Sequence, residues 1–130
     1  MNIISLPRIE DPRGNLSFIE HGPNGTCPFE IERVYWIYDV PTGRVRHNRA
    51  LARTTEMIVA MSGSFDVVLR RPGESTASRI HLNRSDRAVI VPPGTMRSID
   101  NFSTNSVAMV LASAPYDADE YIHDNNADNE

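Results

Sequence analysis

Short apolar and β-branched runs, some alternating with polar residues at a period of two, recur at fairly regular intervals along this chain between Pro, Gly, Asn and Asp. That period belongs to strands, whose successive side chains point to opposite faces. The stretch Glu30 to Val40, EIERVYWIYDV, shows it best: Arg33, Tyr35 and Ile37 fall on one face, and Val34, Trp36 and Tyr38 on the other. Further runs predict strands over 2–10, 15–20, 45–52, 56–61, 65–70, 79–82, 88–91, 96–99 and 107–112. Asp11-Pro12-Arg13-Gly14 predicts a turn, because Pro presets its φ and Gly accepts the conformation other residues avoid. The loops His21 to Pro28, Pro41-Thr42-Gly43, Ser62-Gly63-Ser64 and Arg71 to Ser75 read the same way. A helical period is missing before residue 115, and a short helix is expected only over Ala118 to His123. Many short strands at regular spacing predict an all-β barrel or jelly roll. The end, HDNNADNE, is polar and acidic and is expected to be disordered.

A chain of 130 residues, 40% hydrophobic, suits one domain over 1–130 with a core that needs no disulfide or metal, and with residues from about 115 as a C-terminal extension. The net charge of −4 argues against a broad nucleic-acid surface, although a local cationic pocket is compatible with it. All thirteen basic residues are Arg, whose planar fork suits carboxylates and phosphates. Cys27 is the single cysteine, so no internal disulfide is expected and a reducing cytoplasm is the expected compartment. The N-terminal residues show no basic segment followed by a long apolar core, and no apolar run approaches a membrane span, so neither export nor a membrane partner is expected.

Candidate chemistry enters between Gly43 and Gly63. Gly43, Arg49, Leu51, Glu56 and Gly63 stand at the spacing of the first cupin motif, in which a Gly is followed by two His, a Glu and a second Gly. Pro92, Gly94, Arg97 and Asn101 match the second motif, which carries a third His. The spacing is complete, while the three histidine positions hold Arg49, Leu51 and Arg97. One carboxylate cannot replace a set of three His and one Glu, so no metal is expected and a metal-dependent cupin such as a dioxygenase is disfavoured.

A wider set of residues carries a resemblance: Asp11-Pro12-Arg13-Gly14 with Leu16, then Pro28-Phe29, Arg33-Val34-Tyr35, Asp39-Val40-Pro41 and Arg46. It continues through Ser62 to Val67, Val91-Pro92-Pro93-Gly94, Val110 to Ser113, Tyr116-Asp117 and Tyr121-Ile122. In their order and near gap-free spacing these resemble the sugar-nucleotide 3,4-ketoisomerases, over almost the whole chain. The resemblance implies a cupin double-stranded β-helix and action on a dTDP-4-keto-6-deoxyhexose in deoxysugar biosynthesis. It also implies transfer of the keto group from C4 to C3 without metal or other cofactor, and a homodimer that exchanges N-terminal strands. Carried over residue by residue, it implies Tyr35 and Arg46 as ligand contacts, with Arg33 on the Tyr35 face beside them. Where the family reads His-Ala-His-Lys this chain reads Arg49-Ala50-Leu51-Ala52, and the later Trp-His pair is Met96-Arg97.

The isomerisation needs a base for the C3 proton and an acid for C4, and neither Arg nor Leu can serve. The candidates left for catalysis are His47, Glu56 and Tyr35; burial would raise the pKa of Glu56 into a useful range. Glu56 has a second reading, as the internal ion-pair partner of Arg49 or Arg97. If Arg49, Arg97 and Arg46 point inward, the cavity favours an anion such as a diphosphate or a sugar acid. The alternatives from sequence are therefore a family isomerase with a rearranged acid/base set and a ligand-binding cupin that has lost turnover.

Overall fold

The computed structural model describes residues 2–123, without the side chain of His47. Two five-stranded antiparallel sheets face each other. The first runs in the order β1 (Ile3–Ser5), β9 (Arg87–Val91), β6 (Glu56–Ser62), β11 (Val107–Ala112), β4 (Arg33–Tyr38). The second runs β12 (Tyr121–His123), β5 (Arg46–Leu51), β10 (Met96–Asp100), β7 (Phe65–Arg70), β8 (Ser78–Leu82). The hairpin of β2 (Arg8–Asp11) and β3 (Gly14–Ser17) pairs only with itself among the described residues. The result is the all-β jelly roll that the many short, regularly spaced strands predict.

Strand parity assigns the two faces. Ile58 and Ala60 of β6, Val89 and Val91 of β9, Ala108 and Val110 of β11, and Ile37 of β4 pack inward on Phe65, Val67, Leu69 and Ile99 of the second sheet. Their alternates Met57, Val59, Ala88 and Leu111 point the other way, yet they too are buried, under Leu6, Cys27 and partly buried Ile4, Ile19, Phe29 and Ile31. The first sheet is thus covered on both sides, which is why its central strands are almost uniformly apolar. At the β6–β7 turn Gly63 has φ +69°, and an added Cβ would stand 2.8 Å from the Cα of Ser106, so this position requires glycine.

Two expectations change. The strand expected over 2–10 is split at Pro7, which has no N–H for a ladder, into β1 on the barrel and β2 in the separate hairpin. The helix expected over Ala118 to His123 is a single 3₁₀ turn at Ala118–Glu120 followed by β12, which pairs Tyr121 with Leu51 and His123 with Arg49. Met61, near the end of β6, lies exposed on the outer surface. The disorder expected at the C-terminus falls on 124–130, outside the described residues.

Candidate functional site

The same parity that builds the core places four polar side chains at one end of it. Tyr35 lies two residues before Ile37, Glu56 two before Ile58 and Arg97 two before Ile99, so each shares the inward face of an apolar neighbour. Arg49 is the direct pairing partner of Arg97 across β5 and β10. Where a cupin motif would set imidazoles around a metal, this chain sets two guanidiniums and a carboxylate.

Their contacts close on one another. Glu56 Oε1 accepts from Arg97 Nη2 at 2.5 Å and from Arg49 Nη1 at 3.1 Å. Glu56 Oε2 accepts from the Tyr35 hydroxyl at 2.5 Å and more loosely from Arg49 Nη2 at 3.5 Å. The Tyr35 oxygen in turn accepts from Arg97 Nη2 at 2.9 Å and Arg49 Nη2 at 3.0 Å. Arg97 is 0% exposed, Glu56 1% and Arg49 3%. Arg97 Nη1 and Nε, and Arg49 Nε, find no acceptor among the described residues.

Burial alone would push the Glu56 carboxyl up, the direction expected from sequence. The Arg97 and Arg49 charges and the Tyr35 hydrogen bond overturn it and bring the group down to about 2. Glu56 is therefore ionised throughout the physiological range and is a very weak base. Burial pushes the Tyr35 hydroxyl up, with Arg97 opposing and Glu56 adding to the rise, so the phenol is neutral at pH 7.

Tyr35 joins this cluster to the outside. With Arg33, Tyr116 and Tyr121 it lines a cavity of about 270 Å³. The Arg33 guanidinium lies 5.1 Å from the Tyr35 ring and 5.6 Å from the Tyr116 ring, and Arg49 lies 5.0 Å from the Tyr121 ring. On its other side Tyr35 borders a groove of about 610 Å³ shared with Trp36, Tyr38, Arg44 and Arg46. Arg46 is exposed there, and His47 follows it on β5 with its side chain outside the described residues. A larger hollow of about 780 Å³ lies on the outer side of the first sheet, against Leu6, Phe18, Met61 and Leu111, away from every titratable group of the cluster.

Sequence reasoning gave no role to Tyr116, Tyr121, Arg44 or Glu120. Glu120 is 4% exposed and accepts from the N–H groups of Arg53 and Thr54 at 3.0 and 3.1 Å and from the Thr54 hydroxyl at 2.6 Å. That carboxylate ties the 3₁₀ turn to the loop after β5 and so holds Tyr121 over Arg49. Among the described residues no three of His, Cys, Asp and Glu gather in a metal-binding group, and no helix is long and apolar enough to cross a membrane.

Comparison with known proteins gives consistent matches over nearly the full chain. The family model FdtA, described as WxcM-like, C-terminal, matches residues 1–128. A TDP-4-oxo-6-deoxy-alpha-D-glucose-3,4-oxoisomerase from Aneurinibacillus thermoaerophilus is 34% identical over 120 residues, covering 92% of this chain and 84% of the relative. The WlaRB TDP-quinovose 3,4-ketoisomerase from Campylobacter jejuni superposes with a TM-score of 0.86 at 36% identity, covering 94% of this chain and 91% of that one. The QdtA sugar 3,4-ketoisomerase from Thermoanaerobacterium thermosaccharolyticum, in complex with TDP, superposes with a TM-score of 0.87 at 29% identity, covering 95% and 88%. A QdtA variant has also been solved with TDP-4-keto-6-deoxyglucose.

Proposed function

The chain belongs to the FdtA, WxcM-like family of sugar-nucleotide 3,4-ketoisomerases, and from that premise we propose that it takes a TDP-4-keto-6-deoxyhexose at the end of the barrel marked by Tyr35. One observation carries this reading: Tyr35 is shared by the cavity, the groove and the buried cluster, so a ligand lying across the two hollows meets it at their junction. The cavity walls of Arg33, Tyr116 and Tyr121 offer aromatic faces to a deoxyhexose, whose C6 methyl has no polar demand. The groove offers Arg44 and Arg46 to a diphosphate.

In the isomerase reading the neutral Tyr35 hydroxyl serves only as the acid that supplies the C4 proton and His47 is left as the base for the C3 proton, since Glu56 is committed to two guanidiniums and Arg49, Leu51 and Arg97 cannot accept one. His47 is the remaining titratable candidate on β5. Arg49, Leu51 and Arg97 supply no metal ligand at the three cupin histidine positions, so this chemistry is assigned no metal. A second reading, binding without turnover, is favoured by the Glu56 pKa of about 2, which leaves the cluster without a group near neutrality. Incubation with TDP-4-keto-6-deoxyglucose in D₂O separates the two. Turnover gives a 3-keto product with deuterium at C4; saturable binding without deuterium supports the second reading. No saturable binding of TDP or the TDP-sugar would end both. Arg49→His with Leu51→His, which returns both imidazoles, is expected to raise the exchange rate at least about a hundredfold.

The assembly proposed is a homodimer. Ile9, Leu16 and Phe18 of the hairpin segment and Val34, Trp36 and Tyr38 of the edge strand β4 are exposed apolar residues on the single chain. A second copy that exchanged N-terminal strands would cover both sets, and sedimentation of a 130-residue species at monomer mass would contradict it. One cupin domain over 1–130 and a cytoplasmic location, in keeping with the free buried thiol of Cys27, complete the proposal.

A further inference from the structure

Charge does not balance inside the barrel. Arg49 and Arg97 are always protonated, Glu56 supplies one negative charge, and the Tyr35 phenol is neutral, so the sealed cluster carries one positive charge in excess. Arg33, half-buried beside the Tyr35 ring, adds to the positive field and makes no ion pair among the described residues. An uncompensated charge in a dry interior costs far more than the same excess on a surface. The hydrogen-bond inventory agrees with the charge count. Arg97, fully buried, leaves Nε and Nη1 without an acceptor, and Arg49 leaves Nε, which makes three buried donors on two residues that pair directly across β5 and β10.

We infer that the Arg49–Glu56–Arg97 cluster binds one small monoanion, of halide or formate size, on the guanidinium N–H groups that no protein acceptor takes. A single charge matches the excess of one, and an acceptor with no proton of its own suits donors that have no other partner. The ion is small because Tyr35 on one side and Tyr121 on the other screen the cluster from the cavity, the Tyr121 ring lying 5.0 Å from the Arg49 guanidinium. This inference stands on the cluster alone and does not depend on the nucleotide-sugar reading, whose proposed ligand occupies the cavity and groove outside Tyr35.

Bromide is the probe. A crystal of the full chain soaked in sodium bromide is expected to show an anomalous peak within hydrogen-bond reach of Arg97 or Arg49, and in solution chloride or formate, exchanged for bulky gluconate at constant ionic strength, raises the thermal midpoint saturably by a few degrees. Arg97→Met removes the excess charge and abolishes the rise. Should that variant not fold, Glu56→Gln doubles the excess and steepens the anion dependence instead. A peak-free site occupied by water, or a midpoint that follows ionic strength irrespective of the anion, overturns the proposal.

Discussion

At the inner end of the barrel Glu56 accepts from Arg97, Arg49 and Tyr35; on the outer face of the second sheet Asp66 is bonded to Arg79 at 2.9 Å, His81 at 2.6 Å and Asn101 at 3.3 Å. Both are carboxylates drawn below their ordinary range against burial, Glu56 by Arg97 and Arg49 and Asp66 by His81 and Arg79. Their surroundings differ. Arg79, shared with Asp100, and His81 are about half exposed, so water solvates whatever charge the outer group fails to balance. Arg97 and Arg49 are shut in, and what Glu56 leaves unbalanced stays in a low dielectric. The same residue types make a surface ornament in one place and a strongly coupled interior unit in the other.

The sharpest way to break that contrast is to remove each carboxylate. Glu56→Gln keeps the shape and leaves two buried guanidiniums facing a neutral amide, which is expected to cost roughly 3–5 kcal/mol in urea unfolding. Asp66→Asn, measured alongside, is expected to cost clearly less, because Arg79 can turn to Asp100 or to water. Equal losses would mean that water reaches Glu56 and that the inner cluster is no drier than the outer one.

Acid titration sharpens the same point. The Glu56 carboxyl lies at about 2 when folded against an ordinary 4.5, so its contribution is fully present above the ordinary value and is lost as pH falls from about 5 towards 2. The full loss is roughly 3 kcal/mol. Glu120 is lowered too, by Thr54 and the N–H groups of Arg53 and Thr54, and loses stability in the same direction. The decisive quantity is therefore the difference between wild type and Glu56→Gln: the variant's stability should fall less steeply below pH 5, and parallel curves would refute the assignment.

Glu120→Gln is the next step down. The buried carboxylate accepts three bonds from the loop after β5, and the amide can keep at most part of them, so about 1–3 kcal/mol is expected. Hydrogen exchange should report the loss locally, with the amides of 121–123 losing protection before those of β6 or β11. Uniform loss across both sheets would show that β12 does not move separately from the barrel.

How much of this could be read from the chain alone follows from where each interaction is encoded. Parity within a strand is local, so Arg49, Glu56 and Arg97 could be placed on one interior from the cupin spacing, and the ion-pair reading of Glu56 follows from that placement. The direction of its pKa could not. It depends on two guanidiniums from different strands and the Tyr35 hydroxyl acting together against burial, and the count of charges around one carboxylate is a tertiary fact. The C-terminal segment fails for a related reason. Ala118-Asp119-Glu120 offers helix-compatible letters, but the pairing of Tyr121 with Leu51 and the Glu120–Thr54 bond override them, and both partners lie far away in sequence. Tyr116 and Tyr121 were visible as part of the family resemblance without any hint of the cavity they line.

The smallest effect comes from the outer group itself. Arg79 reaches both Asp66 and Asp100, the latter through two contacts of 2.7 and 3.3 Å, a geometry that would look decisive in a list of ion pairs. Its guanidinium is more than half exposed, so solvent already competes for each of those bonds and salt screens what remains. Arg79→Ala is expected to move the thermal midpoint by about 2 °C or less, and by nothing measurable at about 1 M salt. A larger, salt-resistant shift would mean that the outer face of the second sheet is dry in solution, covered by something bound to it. The contrast with the barrel interior would then be one of degree, with Asp66 and Glu56 both working as buried anchors.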